Sequence, residues 1–85
     1  MRDYYNELLK AAERDFKLSE KFIVYNGIFK AAKYSLADIR YTTDREGETY
    51  SFVLVGWNLS GELIGRMPYD YLCPFDVLRI LREIM

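Results

Sequence analysis

Residues 36–67 read LADIRYTTDREGETYSFVLVGWNLSGELIGRM, and this stretch decides the fold. Apolar and polar side chains alternate along 36–43 and 62–67, whereas 49–57 has apolar residues on both parities: Tyr50, Phe52 and Leu54 on one, and Val53, Val55 and Trp57 on the other. Such alternation is typical of strands that bury one face. The connections Asp44–Gly47 and Asn58–Gly61 each have Asp or Asn first and glycine fourth, as type I turns prefer. The stretch therefore predicts a three-stranded antiparallel meander.

The turns allow two registers, which place different side chains of the middle strand in the core. A direct register pairs Thr43 with Glu48 and Trp57 with Glu62, and its core-side residues are Tyr50, Phe52 and Leu54. A bulged register pairs Asp44 with Glu48 and Asn58 with Glu62, and its core-side residues are Val53, Val55 and Trp57. A slip of one residue exchanges the two faces, and glycine at the fourth turn position favours the bulged form. In either register the middle strand keeps an apolar second side.

Helical periodicity marks both ends of the chain. Near the start, one stripe with a period of about 3.6 residues consists of Tyr5, Leu8, Leu9, Ala12 and Phe16. Near the end, a similar stripe consists of Val77, Leu78, Leu81, Ile84 and Met85. Pro74 suits the first position of the second helix, because an N–H there would have no partner within the helix. We expect a helix at each end with one face in the core.

Residues 18–34 fit two structures. The run Phe22–Tyr25 is followed by Asn26–Gly27, a strong hairpin signal that favours two short strands. The same segment also places apolar residues on one helical face, and Ser19 could open a helix. Because a glycine inside a helix costs about 1 kcal/mol relative to alanine, we prefer the hairpin.

Taken together, the segments predict one small α+β domain over residues 1–85: an N-terminal helix, an antiparallel meander of three to five strands and a C-terminal helix. A chain of this length buries about 60–65% of its unfolded surface, which is enough for one core. Met67–Pro68 and Cys73–Pro74 are expected breaks, since the residue before proline is driven out of the helical region. The third strand is therefore expected to end near Met67, with a loop over 68–74 leading to the last helix.

Composition excludes several function classes. The chain has no histidine and one cysteine, Cys73, so it lacks the residues for a histidine-based relay, a histidine–metal site or an internal disulfide. We interpret Cys73 as a small buried hydrophobe. The formal charge of −1 argues against a protein devoted to neutralising phosphate. We expect a non-enzymatic protein with no cofactor and no metal.

The sequence also predicts a location. Charged residues recur throughout residues 1–20, so no apolar core of a signal peptide can be drawn there. The longest apolar run, residues 52–55 extended to Trp57, is far shorter than a membrane span. We expect a cytoplasmic protein that does not enter a membrane.

Eight tyrosines in 85 residues are the remaining anomaly. Tyrosine is common in half-buried strands, but Tyr and Trp also carry much of the binding energy at protein interfaces. The side chains expected to contact a partner lie on the central strand and in the 68–74 loop: Tyr50, Phe52, Trp57, Tyr69 and Tyr71. They favour a non-catalytic protein-interaction module, such as a regulator, adaptor or stoichiometric inhibitor. Its partner would be another protein or a second copy of itself.

A small nucleic-acid-binding domain is the alternative. If the first helix ran far enough, it would carry a basic stripe of Lys10, Arg14, Lys17 and Lys21. An aromatic sheet face is similar to the stacking platforms of RNA-binding sheets. The basic and aromatic sequence pattern of that module is missing, however, and acidic residues balance the basic ones.

In size and tyrosine content, the chain resembles the small accessory proteins of phages and mobile elements, including inhibitors of bacterial defence systems. The resemblance is one of composition and covers no motif. It implies an interaction role of the kind already described.

Overall fold

The computed structural model describes residues 3–85 and has the predicted α+β fold. Its elements are α1 (Tyr4–Ala12), α2 (Glu20–Asn26), β1 (Lys33–Asp44), β2 (Gly47–Trp57), β3 (Leu63–Leu72) and α3 (Pro74–Ile84). Within this part of the chain the strands form one antiparallel sheet in the order β1-β2-β3, which confirms the meander. None of the helices between residues 3 and 85 is long and apolar enough to cross a bilayer.

Helix α1 is shorter than the apolar stripe that predicted it. Asp3 caps its start, where the Asp3 Oδ1 accepts a hydrogen bond from the Asn6 N–H at 3.2 Å. Leu8 is fully buried, whereas Leu9 is 38% exposed. Phe16 lies beyond the helix, where its backbone forms a bridge with Tyr34 of β1 and its buried ring stacks on that of Tyr34. The stripe therefore reaches the core partly as helix and partly as an extended segment along the edge of the sheet.

The hairpin predicted within residues 18–34 is wrong, and the alternative helix is present as α2. Ser19 caps this helix, since the Ser19 Oγ accepts a hydrogen bond from the Phe22 N–H at 3.2 Å. Gly27 ends it in the left-handed conformation, with φ of 66°. A left-handed glycine satisfies the last helical carbonyls without steric strain. Asn26–Gly27 is thus a helix end, and the penalty for a glycine inside a helix does not arise.

The register is direct at the first turn and bulged at the second. Thr43 pairs with Glu48, so the bulged form we favoured is wrong there. At the second turn the Asn58 N–H donates to the Glu62 carbonyl at 3.0 Å, as the bulged form requires. A further irregularity beside Trp57 then brings Leu54 opposite Met67. As a result β2 buries the set that the direct register predicted, namely Tyr50, Phe52 and Leu54.

Both outer strands bulge beside the same part of β2. The register shifts between Ala37 and Arg40 on β1, and opposite Tyr50–Phe52 on β3. Each bulge holds a non-glycine residue with positive φ, which is 52° at Asp38 and 58° at Tyr71. A positive φ is strained for residues other than glycine, asparagine and aspartate, so the strain lies at Tyr71.

The predicted break at Met67–Pro68 and the predicted 68–74 loop are both wrong. Strand β3 continues through Pro68, which pairs with Val53, and ends at Leu72. Proline is tolerated because β3 lies at the edge of the sheet, where a missing N–H need not remove a ladder hydrogen bond.

The helices and the segments between them pack on one side of the sheet, which we call the inner face. The sheet contributes Tyr34, Leu36, Tyr50, Phe52 and Leu54 to the core. The helices contribute Leu8, Ala11, Ile23, Val77, Ile80 and Leu81. Helix α3 begins at Pro74 as predicted, although Met85 from its predicted stripe is 64% exposed. The Ser19 hydroxyl donates to the Glu83 carboxylate, joining the start of α2 to the end of α3.

Phe29 closes one end of the core above two paired glycines. Gly56 of β2 and Gly65 of β3 lie opposite each other. A Cβ on Gly56 would overlap the Phe29 ring and lie 2.9 Å from the Ala31 Cβ, whereas one on Gly65 would make ordinary contact at 3.7 Å. The Tyr34 hydroxyl donates to the Phe29 carbonyl at 2.6 Å and fixes this segment. Gly56 is therefore required by close packing.

Candidate interaction surface

The opposite side of the sheet, which we call the outer face, is not covered by the helices. Its side chains are Lys33, Ser35, Ala37, Arg40, Ser51, Val53, Val55, Trp57, Leu63, Arg66, Pro68 and Asp70. They alternate with core residues along each strand and form rows across the sheet, such as Ala37–Val53–Pro68. The outer face is the candidate interaction surface.

The part of the outer face around Trp57 is apolar. Val55 is 7% exposed and does not belong to the core cluster. Leu63, opposite Trp57, is 49% exposed. The Trp57 Nε1–H donates to the Ser35 Oγ at 3.0 Å, so the indole is held on this face. This part of the outer face is a connected apolar surface, and the indole nitrogen of Trp57 already has a hydrogen-bond partner.

The other end of the outer face is polar. Arg40 lies opposite Ser51, and Asp70 lies on the far side of Ser51, where both charged residues line a shallow depression. Neither charged side chain forms an ion pair or hydrogen bond with another residue between 3 and 85. Asp38 also borders the depression. The polar end therefore offers one arginine and nearby aspartates to an outside partner.

Tyr50 and Phe52 were predicted to contact a partner, but the structure places both in the core. Their exposed fractions are 4% and 2%. The Tyr50 ring lies 5.1 Å from that of Tyr41, and the Phe52 ring lies 5.2 Å from that of Tyr69. Burial, together with the nearby Glu48 carboxylate, raises the pKa of Tyr50 to about 12, because both disfavour the phenolate. Since a partner could not reach these rings in the folded protein, their assignment as contact residues is corrected to a structural role.

The other three predicted contact residues lie in different environments. Trp57 is half-buried on the outer face. Tyr69 is half-buried on the inner face against Phe52, and burial raises its pKa. Tyr71 is 88% exposed at the bulge of β3. The structure therefore brings Trp57 and Tyr71 within reach of a partner and leaves Tyr69 packed against the core.

The predicted basic stripe is divided among three segments. Lys10 lies on α1, Arg14 and Lys17 lie in the connection after it, and Lys21 lies on α2. All four side chains are exposed. Because α1 ends at Ala12, the helix that was to carry the stripe does not extend that far.

A further candidate site is Cys73, the residue before α3. Cys73 is exposed, so its interpretation as a buried hydrophobe is wrong; its thiol donates to the Asp76 carboxylate at 3.1 Å.

A mainly apolar cleft of about 50 Å³ lies between α2, α3 and the sheet, with Phe22, Tyr69 and Ile80 in its lining. Its volume is sufficient for a water molecule or two but not for a metabolite.

Arg40, Val53, Leu63, Pro68 and Asp70 lie on the outer face but were not among the side chains expected to contact a partner. Because successive side chains of a strand point to opposite faces, they could have been placed on one face if the register had been known. The bulges at Asp38 and Tyr71 are not encoded by glycine, so no local pattern indicated where each outer strand changes faces.

Residues 3–85 contain no group of three or more side chains arranged to hold a metal ion. No protein-family model, curated protein or solved structure matches the chain.

Proposed function

We propose that this protein is a non-catalytic protein-interaction module that binds another protein, or a second copy of itself, through the outer face of its sheet. The observation that carries the proposal is the position of the helices, which cover the inner face and leave Val53, Trp57 and Leu63 uncovered. Contiguous apolar surface of this kind is typical of interaction sites. A regulator, an adaptor or a stoichiometric inhibitor would bind in this way.

The chemistry of the outer face supports this role. Protein interfaces combine an apolar centre with a polar rim, and Trp and Arg are enriched in them. Here Trp57 and Val53 lie on the central strand, whereas Arg40 and Arg66 lie on the outer strands. A cytoplasmic location and a phage or mobile-element origin belong to the same proposal and rest on composition alone.

Nucleic-acid binding has less support. The four cations of the basic stripe lie on separate segments. On the sheet, Asp38 and Asp70 accompany Arg40 around the polar depression, and carboxylates at that place would repel a phosphate backbone.

The proposal is tested by comparing proteins captured from host lysate on immobilised wild type, Leu63→Asp and Lys21→Asp, with self-association of each measured by light scattering. Leu63→Asp places a charge on the outer face, and Leu63 is sufficiently exposed for the fold to persist. Lys21→Asp is the control, because Lys21 is exposed on α2. Thermal melts verify that each protein is folded.

Support would be a captured protein, or self-association, that the control retains and Leu63→Asp loses. Two results would contradict the proposal. One is capture and self-association that are the same for all three proteins. The other is retention of nucleic acid alone, released steeply by salt.

A further inference from the structure

We infer that the occupant of the outer face is a second copy of this chain, bound face to face about a two-fold axis that runs along β2. The inference rests on the proposed function and names its partner. Two observations support it: the positions of the charges and the extent of the apolar surface.

The charges are self-complementary about this axis. Arg40 and Asp70 lie on opposite sides of Ser51, one on β1 and the other on β3. A two-fold axis along the middle strand places the β1 side of one copy over the β3 side of the other. Arg40 of each copy then lies over Asp70 of the facing copy, so the dimer gains two ion pairs. Both side chains lack an ion-pair partner within residues 3–85.

Along β2 and in the row of Val53, the same axis places apolar residues over apolar residues. Along β2, Val53 lies over its own counterpart and Trp57 over its own. Between the outer strands, Ala37 of one copy lies over Pro68 of the other, because both occupy the row of Val53. Arg66 faces Ser35, since these residues share the row of Val55. In the row of Trp57, Lys33 faces Leu63, so no like charges meet in the rows of Val53, Val55 and Trp57.

A two-fold axis across the strands at Val53 is the competing arrangement. It would pair Arg66 with Asp70, but it would also lay the apolar end at Trp57 over the polar end at Thr49. Because burial of apolar surface is the main driving force for association, the axis along β2 is favoured. The two arrangements differ in which arginine meets Asp70, and this difference can be measured.

The outer face is large enough for a weak dimer. With strands about 4.8 Å apart and a rise of about 3.3 Å per residue, its footprint is about 14 Å by about 30 Å. Two such faces would bury roughly 840 Å², which is in the range of weak, transient interfaces. We therefore expect a reversible dimer with a micromolar dissociation constant.

The test is sedimentation equilibrium on the full chain from about 1 µM to about 500 µM. Arg40→Asp and Asp70→Arg should each raise the dissociation constant about tenfold or more, because each puts like charges face to face twice per dimer. An equimolar mixture of the two single variants should dimerise like wild type, since each mixed pair contains only opposite charges at these positions. The double variant should do the same, and Lys21→Asp should be unchanged.

The mixture distinguishes contacts between chains from contacts within one chain. Opposite charges carried by two different chains can attract each other only across the interface, so restored dimerisation shows that the two residues meet there. Both residues are exposed, so the variants should keep the wild-type melting curve. Rescue by mixing Arg66→Asp with Asp70→Arg, rather than Arg40→Asp with Asp70→Arg, would overturn the axis along β2. If the protein stayed monomeric at every concentration, the proposal that a second copy occupies the outer face would be overturned. In that case, capture of a lysate protein that Leu63→Asp abolishes would leave the proposed function standing.

Discussion

Phe52 and Val53 are adjacent in β2, yet they belong to different surfaces of the molecule. Phe52 is 2% exposed beneath the helices, whereas Val53 is half-buried on the outer face. Hydrophobicity does not distinguish the two faces of this strand, since both carry large apolar side chains. The two faces differ in whether the helices of the molecule pack against them. One face of β2 is therefore a core, and the other is a surface with the composition of a core.

The largest expected difference between the faces is in stability. Phe52→Ala should lower the free energy of unfolding by about 3–5 kcal/mol, because it leaves a cavity against Tyr69 and the helices. Val53→Ala should cost less than about 1 kcal/mol, since solvent already reaches Val53. Urea denaturation measures both values. Equal losses would mean that the outer face is as fully packed as the inner one.

Alkaline pH should destabilise the inner face through Tyr50. Its pKa is raised from 10.0 to about 12 in the folded state. The stabilisation from the neutral phenol is therefore complete below pH 10 and declines as pH rises from 10 to 12. Tyr50→Phe should reduce this alkaline loss in denaturation curves recorded at several pH values. The control Tyr71→Phe, which removes a phenol outside the core, should leave it unchanged; an equal effect of both variants would refute this assignment.

The paired glycines allow a sharper comparison within one row of the inner face. Gly56→Ala should lower the free energy of unfolding by about 1–3 kcal/mol, because the new methyl group overlaps the Phe29 ring. Gly65→Ala should be nearly neutral, since its Cβ would lie 3.7 Å from the same ring. Thermal or urea unfolding of the pair measures the difference. A loss at Gly65 as large as that at Gly56 would show that the Phe29 ring cannot be responsible.

The smallest expected effect concerns the strained residue on β3. Tyr71 has φ of 58° and is 88% exposed, so its side chain contributes little packing. Tyr71→Gly should be more stable than Tyr71→Ala by about 1 kcal/mol, because glycine adopts the left-handed region without steric cost. Chemical denaturation of the two variants gives the difference. If alanine were the more stable, the bulge would not hold the strain that its φ angle implies.

The sequence predicted those features that local chemistry controls. The three strands of the meander, the positions of the two turns and Pro74 at the start of α3 were read correctly, although the register favoured at the first turn was wrong. Residues 20–27 were misread because Asn26–Gly27 suits both a hairpin turn and a helix end. The choice depends on Ile23, whose burial against the rest of the core stabilises the helix. A similar ambiguity at Pro68 was settled by the position of β3 at the edge of the sheet.

The candidate surface was harder to predict than the fold. Trp57 and Tyr71 were identified because they are aromatic, and Tyr50 and Phe52 were included for the same reason although they are buried. Residue type carries no information about which face of a two-sided apolar strand is covered. Arg40 and Asp70 gain their significance only from sharing a row with Ser51.

By itself, the sequence determined a three-stranded meander with a helix at each end, because turn chemistry and periodicity act over a few residues. The tertiary structure alone decided which side of β2 became the core. That outcome depends on the bulges at Asp38 and Tyr71 and on all the helices packing against the same face. Such choices are made by contacts between residues distant in the chain, whose energies no local pattern records.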